Sequence, residues 1–164
     1  MNNRIKNLRL REVRESDCRL LWAWANDSAV REGAFSPDPI PWEEHSHWFM
    51  DKLHNPNCLI MIGLDEQELP VGEVRFDFKN EHEAEIDICV DKNLRGSGYG
   101  SILIHLALEK IFCCTSVRKI HAFVKADNQR STKLFEKAGF KKLEMGVVKG
   151  NLALHYLLGK DHEQ

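Results

Sequence analysis

The stretch EAEIDICVDKNLRGSGYGSILIHLAL, residues 83–108, decides how the chain folds. It begins with alternating polar and apolar residues, which predict a strand, and it ends in an apolar run that predicts a buried helix. Between them lies the turn Asn93–Gly100, in which glycine occupies positions 96, 98 and 100. Because glycine adopts backbone conformations that other residues avoid, such a turn can direct several N–H groups to one point.

This turn predicts a binding site for an anion. A helix that begins there adds unpaired N–H groups and the positive end of its dipole. Arg95 adds a full positive charge, and the combination suits a phosphate or a pyrophosphate. Two familiar phosphate loops are excluded, because a P-loop needs Gly-Lys-Ser/Thr and a dinucleotide turn follows the first strand of a βαβ unit. We therefore expect a phosphate-bearing cofactor here, with the chemistry beside it.

The rest of the chain predicts elements in the order β-α-α-β-β-β-α-β-α-β-β. Hydrophobic periodicity, capping residues and turn signals give their approximate bounds. We expect strands at residues 8–13, 58–64, 71–78, 84–90, 119–124, 140–148 and 152–158, and helices at residues 17–25, 42–53, 101–114 and 129–138. A short helical turn is expected at residues 29–32, before a proline-rich loop. The fold class is α+β, with a mixed, mostly antiparallel sheet of about seven strands and helices on both faces.

Length and composition limit the function classes. The 164 residues predict one domain, 1–164, and the net charge of −2 argues against a nucleic-acid partner. With no apolar run of 18 residues and no signal peptide, we expect neither a membrane association nor secretion. Five cysteines without a CxxC pair fit a reducing, cytoplasmic setting. We expect a monomer or homodimer and no metal site.

Two motifs together resemble the GNAT acetyltransferase superfamily. Its acetyl-CoA signature, Arg/Gln-x-x-Gly-x-Gly/Ala, is matched by residues 95–100, RGSGYG. Its second feature, an Asn at a helix start followed by a run ending in Lys-x-Gly-Phe, is matched by residues 128–140. The order of elements agrees from Leu8 to Leu158. The resemblance implies an enzyme that transfers an acetyl group from acetyl-CoA, its co-substrate, to a primary amine.

The resemblance also implies a set of cofactor contacts. The pyrophosphate would bind the glycine turn, and the pantetheine arm would pair with the strand before it. The expected contacts are Ile88, Cys89, Val90, Arg95, Gly96, Ser97, Gly98, Tyr99, Gly100, Asn128, Ser131 and Phe135. Asn128 could instead serve only as a helix cap. Phe135 departs from the family, since many members carry a Tyr there that protonates the CoA thiolate; water, Ser131 or Tyr99 are the alternatives.

The attacking amine must be unprotonated, so the site needs a proton acceptor. Glu85 matches the position where many relatives carry a glutamate base, although it could equally be a carboxylate facing solvent. Glu73 and Asp87 are further candidates on the same sheet. The resemblance implies that the N–H of Val90 stabilises the oxyanion.

Two stretches suggest the acceptor. Residues 22–27 and 42–49 look like the acceptor-side region of sugar-nucleotide N-acetyltransferases of nonulosonic (pseudaminic) acid biosynthesis. Those enzymes acetylate the 4-amino group of a UDP-linked 4-amino-4,6-dideoxy sugar. Substrate contacts are expected at Trp24, Asn26, Trp42 and His45, although tryptophans on an amphipathic helix such as residues 42–53 are more often core residues. The alternatives are a ribosomal-protein N-terminal or polyamine acetyltransferase, or a catalytically weak acyl-CoA-binding module.

Overall fold

A seven-stranded sheet runs through the chain, of which the computed structural model describes residues 7–160. Its strands lie in the order β1-β2-β3-β4-β5-β7-β6, and every neighbouring pair except β4 and β5 is antiparallel. The strands are β1 Arg9–Glu12, β2 Cys58–Leu64, β3 Pro70–Phe78, β4 Glu83–Val90, β5 Lys119–Lys125, β6 Lys141–Val148 and β7 Asn151–Gly159. The predicted mixed, mostly antiparallel sheet is confirmed.

Five α-helices accompany the sheet within the described residues. They are α1 Cys18–Ala25, α2 Ser28–Gly33, α3 Trp42–Leu53, α4 Tyr99–Cys114 and α5 Gln129–Lys137. None of these helices is long and apolar enough to cross a membrane. Short 3₁₀ turns at Glu15–Asp17 and Lys92–Leu94 precede α1 and follow β4.

Helix bounds differ from the prediction where a residue that was not predicted as a cap occupies the N-cap position. Helix α4 begins at Tyr99, two residues before the predicted start, because Gly98 adopts a left-handed conformation with φ of 88° and caps it. The predicted turn at residues 29–32 is a full helix, α2, since the Asp27 carboxylate accepts a bond from the Val30 N–H at 3.4 Å. Asp17 stands at the N-cap position of α1, but its carboxylate pairs with Arg11 and makes no capping bond to the helix.

Side-chain alternation along the strands produces two cores, one on each face of the sheet. On one face, Val74 and Phe76 pack beneath α4 and α5. On the other face, Ile60 and Ile62 pack beneath α1 and α3, with Phe49 fully buried between them. Each fully buried side chain of this kind contributes roughly 1.5–3 kcal/mol. The two cores therefore hold helices on both faces, as predicted.

The sheet opens between β4 and β5. Their parallel pairing covers only Glu83–Glu85, opposite Lys119–His121, whereas β5 remains paired with β7 as far as Lys125. The strands therefore diverge towards their carboxyl ends. At the end of β4, the Asp91 N–H donates to the carbonyl of Val71, the second residue of β3, at 2.9 Å. Because antiparallel bonding alternates along a strand, the N–H of Val90 points away from β3 and into this gap.

Candidate active site

A cleft of about 450 Å³ lies where β4 and β5 diverge, bounded by the glycine turn, α2 and the start of α5. Most of the predicted cofactor residues lie on its lining. These are Ile88, Cys89, Val90, Arg95, Gly96, Gly98, Gly100, Asn128 and Ser131. The structure thus brings together residues that are up to 43 positions apart in sequence (88 to 131) around one opening.

The glycine turn has the conformation that an anion cradle needs. Gly96 and Gly98 have φ values of 74° and 88°, which other residues rarely adopt. A β-carbon on either glycine would meet no atom within 4 Å, so the space above the turn is open. Helix α4 starts at this point, and its first N–H groups lack helical partners. The turn and the helix end can therefore bind a pyrophosphate together.

Arg95 has a different environment from the one expected. Its Nη1 lies 2.8 Å from the carboxylate of Asp27, and its Nε donates to the Val90 carbonyl at 3.1 Å. Burial tends to raise the pKa of Asp27, but the hydrogen bond and charge of Arg95 hold that pKa below its ordinary value. Arg95 therefore joins the glycine turn to the start of α2, and Asp27 balances much of the charge that we expected a phosphate to meet.

Asn128 joins the other end of α2 to α5. Its Oδ1 accepts a bond from the Ser131 N–H at 3.2 Å and so caps α5, while its Nδ2 lies 3.5 Å from the Gly33 carbonyl. A β-carbon on Gly33 would come within 2.6 Å of that Nδ2, so a larger residue would displace Asn128. The capping role is present in the structure, and the bond to a pantetheine arm stays a prediction.

Four cations on the cleft were missed in the sequence analysis, Arg31 on α2 and three on α5. Arg130, Lys133 and Lys137 line it from α5, together with Leu134. Residues three and four apart share one face of a helix, so this spacing could have shown a basic stripe next to the Asn128 motif. Their charges suit the phosphates of a nucleotide-containing ligand.

Phe135 does not line the cleft. Only 4% of its surface is exposed, and its ring packs edge-on against Phe140 with the centroids 5.1 Å apart. Leu134 occupies the position on the cleft instead, because consecutive helical residues point about 100° apart. Ser97 and Tyr99 also lie outside the lining; the Ser97 hydroxyl donates to the Leu94 carbonyl at 2.6 Å.

Among the carboxylic acids of the described residues, Glu73 has the pKa that departs furthest from its ordinary value. It pairs in register with Cys89, which lines the cleft, and its Oε2 is buried without a hydrogen-bond partner. Burial, assisted by the negative charge of Asp87 and opposed by Arg75, raises the pKa of Glu73 to about 8. A group with this pKa can exchange a proton near neutral pH.

The other two predicted bases lie in more solvated surroundings. Glu85 forms an ion pair with Lys79 at 2.8 Å and pairs in register with His121, where β4 and β5 are still joined. Like Glu73, it lies outside the lining of the cleft, but its ion pair with Lys79 favours the surface alternative. The side chain of Asp87 lines the cleft but is 68% exposed, with Arg75 at 3.3 Å.

The four predicted substrate residues do not lie on the cleft. Trp24 is buried and donates to Asp91 at 2.9 Å, and the Asn26 side chain accepts from the Ile40 N–H at 2.7 Å. Trp42 packs edge-on against another tryptophan, and His45 is 3% exposed. These contacts fix α1, α3 and the proline-rich loop, so they favour the core alternative. Within residues 7–160, no three His, Cys, Asp or Glu side chains are grouped as a metal site.

The raised pKa of Glu73 predicts a pH-dependent stability. Between its ordinary value near 4.5 and about 8, the folded state keeps a proton that the unfolded state loses, so the free energy of unfolding falls as pH rises. The contribution of one such group approaches about 1.4 kcal/mol per pH unit. Glu73→Gln should therefore gain stability relative to the wild type between pH 5 and pH 8, measured by urea unfolding. Glu109→Gln on the exposed face of α4 is the control; a constant difference for Glu73→Gln would contradict the raised pKa.

Comparison with known proteins gives a family and a fold. Residues 7–141 match the family described as Acetyltransferase (GNAT) domain. An uncharacterized protein of Methanocaldococcus jannaschii is 30% identical over 139 residues, which cover 84% of this chain but 28% of that protein. The acetyltransferase PseH of Campylobacter jejuni is 24% identical over 136 residues, covering 83% of this chain and 84% of PseH.

A solved structure supports the fold. Spermidine N-acetyltransferase from Vibrio cholerae, in complex with CoA and spermine, superposes with a TM-score of 0.82 and 21% identity. The superposition covers 93% of this chain and 95% of that one. At this identity the similarity shows a shared architecture, which is the seven-stranded sheet with helices on both faces.

Proposed function

Because the chain belongs to the GNAT acetyltransferase family, we propose that it transfers the acetyl group of acetyl-CoA to the primary amine of an amino-sugar nucleotide, a UDP-linked 4-amino-dideoxy sugar. The observation that carries the donor assignment is the left-handed glycine turn, which begins α4 and opens onto the cleft. The resemblance of residues 22–27 and 42–49 to sugar-nucleotide N-acetyltransferases supports the acceptor class. The match to the acetyltransferase PseH, over most of both chains, agrees with the proposed acetyl transfer.

We assign the pyrophosphate, the pantetheine arm and the thioester of CoA to different parts of the cleft. We place the pyrophosphate on the N–H groups of the turn at residues 96–100, with the cations of α5 beside it. The pantetheine arm lies in the gap between β4 and β5, where the main chain of Ile88 and Val90 has no strand partner on that side. Asn128 borders the same gap and bonds the arm. The thioester then lies near the end of β4.

Acetyl transfer requires one bond to form and one to break. The neutral amine attacks the thioester carbonyl carbon, a C–N bond forms, and the negative charge on the carbonyl oxygen is stabilised by the N–H of Val90. The C–S bond then breaks and CoA leaves as a thiolate. With a thiol pKa near 8.5, leaving as thiolate at pH 7 costs about 2 kcal/mol, so an acid is helpful but not required.

We propose that Glu73 is the base that accepts the proton which the amine nitrogen loses during the transfer. Its Oε2 is buried, it pairs in register with Cys89 of the cleft, and burial raises its pKa to about 8. At slightly alkaline pH a group with this pKa is partly ionised. Its carboxylate form can then accept the proton from the positively charged nitrogen of the tetrahedral intermediate. Water or Ser131, which lines the cleft, returns a proton to the CoA thiolate.

A second candidate is acetylation of a polyamine, which the shared architecture with a spermidine N-acetyltransferase favours. A polyamine carries several positive charges and is best bound by a group of carboxylates. Among the described residues that line the cleft, Asp87 is the single acidic one, whereas five are cationic: Arg31, Arg95, Arg130, Lys133 and Lys137. Arg95 is paired with Asp27, and we place the cations of α5 beside the CoA phosphates, which leaves Arg31 for the acceptor. One carboxylate beside this cation does not suit a polyamine and favours an anionic acceptor.

The proposal is tested by thiol release from acetyl-CoA in the presence of different amines. The panel contains a UDP-linked 4-amino-dideoxy sugar, spermidine and a peptide with a free N-terminus. We expect the sugar nucleotide to give the highest kcat/KM. Transfer to spermidine alone would support the second candidate, and CoA binding without transfer to any amine would contradict the proposed activity.

A further inference from the structure

Arg31 is a cation on the cleft whose position the main chain fixes. Its Nε donates to the Ala25 carbonyl at 2.5 Å, and its Nη1 lies 3.0 Å from the Ser36 carbonyl and 3.5 Å from that of Asp38. These bonds hold the guanidinium between the end of α1 and the proline-rich loop. Its remaining donors, on Nη2, are available to a ligand in the cleft that Arg31 lines.

No carboxylate balances the charge of Arg31. Within residues 7–160 it has no acidic partner at ion-pair distance, since its three hydrogen bonds all go to neutral carbonyls. Burial lowers the pKa of Arg31, while Asp87 and Cys89 act in the opposite direction. Asp87, however, is already paired with Arg75 at 3.3 Å. A half-buried and unbalanced cation is costly unless an anion completes the site.

Arg31 lies on the acceptor side of β4. Along this strand, Ile88 and Val90 pack with the core beneath α4, whereas Cys89 packs with the core beneath α1 and α3. Asp87 shares the direction of Cys89, because side chains alternate along a strand. Arg31 donates to the Ala25 carbonyl at the end of α1, and α1 packs on the same face as Cys89, so Arg31 approaches the sheet from the α1 and α3 side. The glycine turn begins α4, which packs on the opposite face.

We propose that Arg31 binds an anionic group, a phosphate or a carboxylate, of the amine acceptor. This inference rests on the proposed acetyl transfer and narrows its substrate class to amines that carry a negative charge. A guanidinium with free donors suits the planar carboxylate and the phosphate equally, because both accept two parallel N–H bonds. It repels a polyamine at the same place. Arg31 thereby determines specificity and takes no part in the transfer itself.

Matched acceptors test this inference without a mutation. One pair is a UDP-linked 4-amino sugar and the corresponding free amino sugar, and the second is β-alanine and its amide; spermidine is the cationic probe. The first pair reports on phosphate and the second on carboxylate. For wild-type enzyme, at least one anionic member should exceed its neutral partner in kcat/KM by roughly 10-fold or more. Equal values in both pairs, or preference for spermidine, would overturn the inference.

Variants of Arg31 test the residue itself. Arg31→Gln should raise the KM for the preferred anionic acceptor by roughly 10- to 100-fold and leave the neutral partner unchanged. Arg31→Lys keeps the charge and should retain part of the preference. Arg118→Gln, an exposed residue before β5, is the matched control. Thermal melting detects misfolding. The KM for acetyl-CoA should stay within about twofold, because Arg31 bonds α1 and the proline-rich loop, whereas the pyrophosphate is placed on residues 96–100 of the same cleft.

The outcomes separate this inference from the proposed function. If the wild type transfers the acetyl group with a preference for anionic acceptors, and Arg31→Gln abolishes that preference, the proposed function and the role of Arg31 are both supported. Transfer with a preference that survives in a folded Arg31→Gln variant overturns the role of Arg31 and leaves the acetyltransferase intact. If the wild type binds acetyl-CoA but acetylates no amine in the panel, the proposed function and the inference are both contradicted.

Discussion

A Gly98→Val variant is expected to lose its affinity for acetyl-CoA, with the KM raised about 100-fold or more. Gly98 has φ of 88°, a conformation that a β-branched residue rarely adopts, and its backbone begins α4. The new side chain would also stand in the open space of the cleft, where we place the pyrophosphate. Loss of two charge-assisted hydrogen bonds, each contributing about 1.5 kcal/mol, is sufficient for a change of this size.

Gly150→Val is the matched control for this variant. Gly150 has φ of 77° in the β6–β7 turn, and a β-carbon there also meets no atom within 4 Å. Both substitutions impose similar backbone strain, so both should lower the melting temperature. Only Gly98→Val should change the affinity for acetyl-CoA, measured by calorimetric titration. Equal affinities for the two variants would contradict a pyrophosphate site on the turn.

Replacement of the buried acid should have the second large effect. Glu73→Gln keeps the size of the side chain but cannot accept a proton, and we expect kcat to fall by roughly 10²- to 10⁴-fold. In the wild type, activity should rise with pH through about 8, the pKa of Glu73, as its carboxylate forms. The activity of the variant should lack the rise that ionisation of Glu73 causes, and its remaining pH dependence should be that of the acceptor amine.

Two further variants distinguish Glu73 from other carboxylates. Glu109→Gln, exposed on α4, controls for a general change in charge. Glu85→Gln tests the competing assignment, which its ion pair with Lys79 does not favour. A wild-type profile for Glu73→Gln together with a large fall in kcat for Glu85→Gln would contradict our assignment and support Glu85 as the base.

Local patterns in the sequence were sufficient for the architecture. The α3 bounds, Trp42–Leu53, and the β2 bounds, Cys58–Leu64, agree with the prediction because apolar spacing and flanking prolines mark both elements. The glycine turn was equally clear, since left-handed backbone at Gly96 and Gly98 depends on the residue type itself. The glycine turn follows β4 and Asn128 follows β5, and these strands are parallel neighbours. Both motifs therefore lie at the same edge of the sheet, on the cleft.

Features that depend on distant contacts could not be predicted. The ion pair of Arg95 joins residues 68 positions apart, and nothing near either residue in sequence indicates it. The environment of Glu73 depends on neighbours from β4 and on the helices above them. Trp24 and His45 are residue types that also occur in sugar-binding sites, but here the packing of α1 and α3 buries both side chains. By contrast, the basic stripe on α5 was present in the sequence and could have been found.

The central claim is that the cleft between β4 and α5 is the acetyl-CoA site. A crystal structure of the chain with CoA tests it most directly. We expect pyrophosphate oxygens at about 3 Å from N–H groups of residues 96–100, the pantetheine arm along Ile88–Val90, and the sulfur on the same side of β4's end as the Val90 N–H. CoA bound elsewhere, with the glycine turn making no contact to phosphate, would contradict the claim.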